Sequence, residues 1–265
     1  MDPNDGTADL SSVSALTDAR DGNTYAVASL ADGECWMIEN LRLDDSSELS
    51  NSDTHNPSLP LTNLYNADPT LATTSNHLSP TSSVAYDATT APEGWCKTNS
   101  AACINQSRLR TDNTTLYTNN ASGVQNGNIY SYGNYYNWYS TTAGHGTYSK
   151  TSGDVDGDIC PADWHLPTGT SSGDFYTLNT TLNNNATDST ASNKFRSFPN
   201  NFILSGLADG ASIINRTFVG YYWSSSAYDG VGAYYMLLGK SNISPGTTNF
   251  SKRGGYAVRC IHPIK

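Results

Sequence analysis

The first spacing in this chain that could do chemistry is "GDVDGDIC", where Asp154, Asp156 and Asp158 stand at alternate positions. Carboxylates spaced in this way open calcium loops of the EF-hand type, which close with a bidentate Glu at the twelfth position. Counted from Asp154, that position is His165, so the pattern fails. No metal site is expected, and the three carboxylates read as solvated turn residues. The 5 histidines show neither HxxxH nor His-plus-Cys spacing for zinc. His165, in "DWHLPT", reads as a structural residue hydrogen-bonded inside the fold. Ser224, Ser225 and Ser226 in "YWSSSAY" lack the GxSxG elbow and read as hydrogen-bonding residues at a strand end. The glycines of "GVQNGNIYSYG" lack the strand–helix context of a phosphate-binding loop and mean turns. No catalytic residue and no cofactor is nominated, and the chain is read as a non-enzyme.

The 5 cysteines, Cys35, Cys96, Cys103, Cys160 and Cys260, allow at most two bridges. Cys96 and Cys103 flank "KTNSAA", a polar loop that a local disulfide could close. Cys160 and Cys260 sit beside two aromatic-rich segments and are plausible partners across a core. Spacing does not fix connectivity, and a buried free thiol stays open for each cysteine, Cys35 above all.

Recognition chemistry is better represented. From residue 220 the chain reads "GYYWSSSAYDGVGAYYMLLGKSNISPGTTNFSKRGGYAVRC". A period of two puts Tyr234, Met236 and Leu238 on one face of a strand and Tyr235 and Leu237 on the other. In "GGYAVRCI", Tyr256, Val258 and Cys260 share a face, with Ala257, Arg259 and Ile261 opposite. Between the strands, "SAYDGV" and "KSNISPGTTNFSKR" read as loops carrying Tyr228, Asp229, Asn242, Thr247, Asn249, Phe250 and Arg253. Tyr, Asn, Ser and Gly on loops backed by a rigid sheet match the chemistry of a binding surface. Tyr gives contact area at low entropy cost, and the small polar residues give adaptable hydrogen bonds. Ordinary polar surface loops are the competing reading.

Composition sets the frame for these residues. Charged residues are 14% of the chain, against about 25% in ordinary globular domains. Ser, Thr, Asn and Gly fill the gap, as in loop-rich extracellular proteins. The 17 Tyr and 5 Trp argue for a packed core rather than disorder. A net charge of −10 opposes nucleic acid and anionic membranes as partners. No apolar run approaches the ~20 residues of a membrane span. "MDPNDGTADL" has no signal-peptide pattern, and the export signal is expected to lie outside this sequence, with an extracellular or cell-surface location.

The elements that must hold the recognition segment follow from turn signals. In residues 20–43, "TYAVASL" and "CWMIENL" read as two strands of a hairpin around "ADGE", with Trp36 buried. Residues 44–124 are rich in Ser, Thr and Asn and read as an insertion with little regular structure. In residues 127–144, Tyr132, Tyr136, Tyr139 and Trp138 can supply one side of a core. A helix is expected after a Ser171/Ser172 cap, through "DFYTLNTTL". A short strand is expected over residues 202–205, followed by further short strands to the end.

Four blocks, "DGNTYAVASLADGECWMIENLRL", "YGNYYNWYS", "GDICPADWHLPT" and "GYYWSSSAYDGVGAYYMLLG…GGYAVRCI", resemble the Fibrobacter succinogenes major paralogous domain family. They cover roughly residues 20–43 and 127–261. The resemblance implies the C-type-lectin-like fold of formylglycine-generating enzymes. "WHLPT" followed by "GDFYTL" resembles that group's helix-start block, with Gly-Asp-Phe in place of Glu-Trp. The pair of catalytic cysteines near the enzyme's C-terminus has no counterpart, since Cys260 stands alone there. The fold also houses variable proteins of diversity-generating retroelements, in which adenine-directed mutation scatters residues along the C-terminal segment. The resemblance implies Tyr228, Asp229, Val231, Tyr235, Leu237, Asn242, Thr247, Asn249, Phe250 and Arg253 as diversified, ligand-binding positions.

The expected protein is therefore an α+β, C-type-lectin-like single domain over residues 1–265. It should have short antiparallel strands, one or two helices, much irregular chain, and N- and C-terminal strands paired near each other. Its expected role is to bind a protein or glycan on another cell or surface through residues 216–256. An enzyme related to the formylglycine-generating group and a passive envelope protein are the alternatives.

Overall fold

The computed structural model describes residues 13–19, 24–41, 135–142, 150–209, 212–215, 218–252 and 254–264. The 44–124 insertion, the Cys96–Cys103 pairing, Tyr132 and Arg253 lie outside the described residues. The described residues form a sheet-rich α+β structure with two four-stranded antiparallel sheets, a small two-stranded sheet and two helices longer than a turn. No helix among the described residues is long and apolar enough to cross a membrane.

The first sheet joins both parts of the chain. Strands β1 (Val13–Thr17), β2 (Thr24–Ser29) and β3 (Cys35–Met37) are followed in the sheet by the last strand, β10 (Ile261–His262). The β2–β3 turn closes through Leu30 N–H to the Glu34 carbonyl at 3.0 Å, with Gly33 at φ +88°. Asp32 accepts from the Glu34 amide at 3.2 Å and from the Trp36 indole at 2.9 Å. Trp36 is fully buried, as expected, with ring centroids 5.7 Å from Phe175 and 6.0 Å from Phe202. The strand expected over "CWMIENL" stops at Met37. Two residues on, the Glu39 carboxylate takes the Ala26 amide at 2.5 Å, a donor otherwise open to the main-chain ladder.

The second sheet carries the recognition segment. Its order is β4 (Gly153–Asp154), β7 (Val219–Ala227), β8 (Gly232–Gly239), β9 (Ile243–Ser251). β9 corrects the expectation of a loop over "KSNISPGTTNFSKR". Pro245 and Gly246 lie where the β8–β9 register shifts between Tyr235 and Leu237. Gly246 has φ +78°, and a Pro-Gly pair inside a strand reads as a turn unless the bulge is known.

After a short helical turn α1 (Trp138–Thr141) come α2 (Asp174–Asn183) and α3 (Ser189–Arg196), which pack on each other and on β9. α2 is capped by Gly173 rather than by the serines. Asp174 in its first turn accepts from the Thr168 amide and hydroxyl, both at 2.8 Å. α3 was not foreseen. Asp188 caps it by accepting from the Ala191 amide at 3.0 Å.

The short strand expected over residues 202–205 is instead buried irregular chain. There the Tyr222 hydroxyl accepts from the Ile203 amide at 2.8 Å and donates to the Ile203 carbonyl at 2.7 Å, so a side chain replaces the ladder. The strand pair begins later, as β5 (Leu207–Asp209) and β6 (Ser212–Ile214). Gly220 lies so close to this stretch that a Cβ on it would sit 2.3 Å from the Ile203 carbonyl oxygen.

Three apolar clusters fill the interior. One joins Trp36, Phe175, Phe202, Tyr222, Met236 and Leu238. A second surrounds the Cys160–Cys260 disulfide, which spans a Cα–Cα distance of 5.8 Å and realises the expected pairing. The third gathers Trp138, Trp223, Tyr235 and Tyr256 on the opposite face of the second sheet. Met236 and Leu238 thus part from Tyr235 and Leu237 as the period-two reading required. Cys35 is a half-buried free thiol whose pKa burial pushes up.

Candidate binding face on the C-terminal sheet

The β7–β8 turn, residues 228–231, is shaped by one carboxylate. Asp229 Oδ1 accepts from the Val231 amide at 2.8 Å and the Gly232 amide at 2.5 Å. The amides of Tyr228 and Asp229 both donate to the Gly232 carbonyl, at 3.0 and 3.2 Å. The Gly232 and Val231 amides, with Lys252 behind them, hold the Asp229 carboxyl below its ordinary pKa. An Asx turn of this type fixes backbone while leaving neighbouring side chains outward.

Those side chains are large and apolar. Tyr228 is 48% exposed, Val231 50% and Phe250 52%. The register Ala227↔Ala233↔Phe250 and Tyr234↔Asn249 brings the end of β9 beside this turn. A Cβ on Gly232 would lie 3.3 Å from Asp229 Oδ1 and 3.5 Å from Asn249 Oδ1, which places these two side chains around it. Tyr228 meets the half-buried Tyr234 edge-on at 5.4 Å. Tyr228, Asp229, Val231, Asn249 and Phe250 are therefore gathered at one end of the sheet.

The other nominated residues fare differently. Tyr235 is only 5% exposed, its ring 5.1 Å from Tyr256, 5.8 Å from Tyr221 and 6.1 Å from Trp223. Burial pushes its phenol up to about 12. It supports the face from behind, because the sheet side opposite the helices is itself covered by Trp138 and Tyr256. Leu237 is half-buried on that side, opposite Ser244. Thr247 is exposed, its hydroxyl 3.1 Å from that of Ser244. Asn242 is exposed at the far end of β8, a strand length of ~25 Å from the 228–231 turn. Arg253 lies outside the described residues.

Beneath the turn lies a residue the sequence reading passed over. Lys252 is fully buried, and its Nζ donates to the carbonyls of Lys150 at 2.7 Å, Asp229 at 2.8 Å and Gly230 at 3.2 Å. The same nitrogen stands 4.6 Å from the centroid of the Trp138 ring. Burial, with Lys150 adding to it against the pull of Asp229, lowers its pKa to about 8. Tyr221 was also passed over. It lies in the Trp223–Tyr235 face, 5.1 Å from Tyr256, and the alternation of β7 could have found it.

Several residues weighed for chemistry, Asp154, Asp158, His165, Ser224 and Ser226, have structural partners. Asp158 corrects the reading of a solvated turn carboxylate: it is buried and accepts from the Cys160 amide at 2.8 Å and the Leu166 amide at 2.7 Å. Asp154 takes the Ser226 hydroxyl, whose oxygen in turn accepts from the Gly169 amide at 2.8 Å. Ser224 Oγ donates to the Tyr234 carbonyl at 2.7 Å. His165 pairs its backbone with Ile261 at 2.9 Å in both directions, and its Nδ1 lies 3.2 Å from the Leu166 carbonyl oxygen.

Set against family models, curated proteins and solved structures, the chain finds no match.

Proposed function

We propose that this chain is a secreted or cell-surface ligand-binding protein with a C-type-lectin-like fold. Its contact region is the end of the second sheet formed by Tyr228, Asp229, Val231, Asn249 and Phe250, with Tyr228 beside Tyr234 on one side and Phe250 beside Tyr256 on the other. The observation that carries this reading is a pair of half-exposed apolar side chains, Tyr228 and Val231, on a turn whose backbone is fixed by Asp229, with half-exposed Phe250 on the adjoining end of β9. Rigid aromatic anchors ringed by small polar groups suit either a sugar face or a protein pocket. The Cys160–Cys260 disulfide supports an oxidising compartment. It also engages Cys260, the residue on which a kinship to formylglycine-generating enzymes would have to rest.

The resemblance to the major paralogous domain family supports one further step, that the face is varied by a retroelement. Deep sequencing of the gene's 3′ end in a natural population tests it. Substitutions confined to template adenines are expected at Tyr228, Val231, Asn249 and Phe250, with Asp229, whose carboxylate holds the turn, and Gly220, Trp223 and Lys252 unchanged. An unvarying segment would overturn the diversification and leave a binder of one fixed ligand.

A further inference from the structure

We propose that Lys252 is a positioning residue for the binding face: its buried ammonium grips the backbone of the 228–231 turn from below and so sets where Tyr228 and Val231 stand. The inference rests on the reading of that turn as a contact surface.

A lysine ammonium has three N–H donors and no acceptor. At Lys252 three carbonyls meet it, one donor each, from Lys150, Asp229 and Gly230. Two of the three belong to the turn itself. The Trp138 ring supplies the remaining side of the site with its negative face at 4.6 Å. The main chain of Lys252 ties the same elements together, because its amide donates to the Val231 carbonyl and its carbonyl accepts from the Trp138 amide, both at 2.9 Å. One residue thus holds the turn on two sides, at 229–230 through its side chain and at 231 through its backbone.

The arrangement differs from an ion pair in a way that matters for binding. The Asp229 carboxylate spends Oδ1 on turn amides, while the lysine bonds the Asp229 main-chain oxygen. Cation and anion therefore fix opposite sides of one peptide loop. The side chains of Tyr228 and Val231 take no part in either set of bonds, so they can change without loosening the turn. That separation is what a face with interchangeable contact residues needs, since order already present in the free protein is not lost on binding.

Amide hydrogen exchange on the whole chain tests the proposal without any ligand, so its failure and a failure of the binding reading are distinguishable. In K252M, protection of the Tyr228, Asp229, Val231 and Gly232 amides is expected to fall by about tenfold or more, with α2 and the β2–β3 hairpin within about threefold of wild type. K252R, which keeps a cation and its donors, is expected to restore much of the loss. Unchanged protection at the turn in K252M would overturn the proposal. So would a loss spread evenly over the turn, α2 and the first sheet, which would make Lys252 a general core residue. If K252M does not fold, K252Q, with two donors in place of three, is judged by the same two criteria.

Discussion

The two ends of the C-terminal sheet are built from the same strands and do opposite things with their backbones. At the β8–β9 end the main chain is sewn to the helices. The Gly239 carbonyl accepts from the Ser192 hydroxyl of α3, and the Ile243 amide donates to the Thr187 carbonyl at 3.0 Å. Its exposed side chains, Lys240, Ser241 and Asn242, are polar, and the Lys240 ammonium stands 4.6 Å from the centroid of exposed Phe218. At the β7–β8 end the main chain is held by its own Gly232 carbonyl, which accepts from the Tyr228 and Asp229 amides, and by Asp229 and Lys252, and the exposed apolar side chains are Tyr228, Val231 and Phe250. The difference teaches that backbone order at the second end is set locally, by bonds in which the apolar side chains take no part.

The buried cations sharpen this contrast. Arg259 lies 1% exposed, donating to Asn40 Oδ1 at 2.8 Å, to the Asn200 carbonyl at 2.7 Å and to the Asn201 carbonyl. Its guanidinium sits 4.3 Å from the centroid of the Phe202 ring. Removing it strands partners in a buried region, so R259M is expected to cost about 3–5 kcal/mol of global stability in urea titrations. A loss below about 1 kcal/mol would mean that those groups find other donors. The acceptors of Lys252 lie in half-exposed or exposed chain, where water can replace a lost donor, so K252M is expected to act on the turn far more than on the whole.

A smaller effect distinguishes Lys252 by pH. Its pKa is lowered in the folded protein from 10.5 to about 8, mainly by burial. Between those values the unfolded chain holds a proton that the folded chain has released, so stability rises with pH across the window. Below about 8 both states carry the charge and this contribution to the slope vanishes. Among the described residues, Asp229 and Lys150 are the charged groups acting on this amine. The urea midpoint of the wild type should climb between pH 8 and 10.5, and that increment should be missing in K252M. Equal slopes in both proteins would place the proton elsewhere.

Much of the scaffold was legible in the sequence. The Asp-Gly turn with alternation on either side gave the β2–β3 hairpin, and the "DFYTLNTTL" run gave α2. Alternation along β8 sorted Tyr235 and Leu237 from Met236 and Leu238, and the flanking aromatic segments pointed to Cys160 with Cys260. What stayed hidden was hidden for physical reasons. β9 bends at Pro245–Gly246 and so looks like a loop. α3 is short and polar, with only Phe195 as a large apolar anchor. Tyr235 stood among the contact positions that the resemblance implies, and alternation, which assigns sides, does not say which side another segment covers. Lys252 and Arg259 bond mainly to backbone carbonyls from distant parts of the chain, and no residue spacing encodes such acceptors.

The most direct test of the account sets the two ends against each other. Glycan arrays and immobilised cell-surface proteins would be probed with the wild-type chain, with Y228A/V231A/F250A and with F218A/K240A/N242A, each first checked by circular dichroism. The account predicts a wild-type signal that the first triple variant abolishes and the second keeps, with both variants folded. Loss through the second variant alone, or a signal indifferent to both, would contradict it.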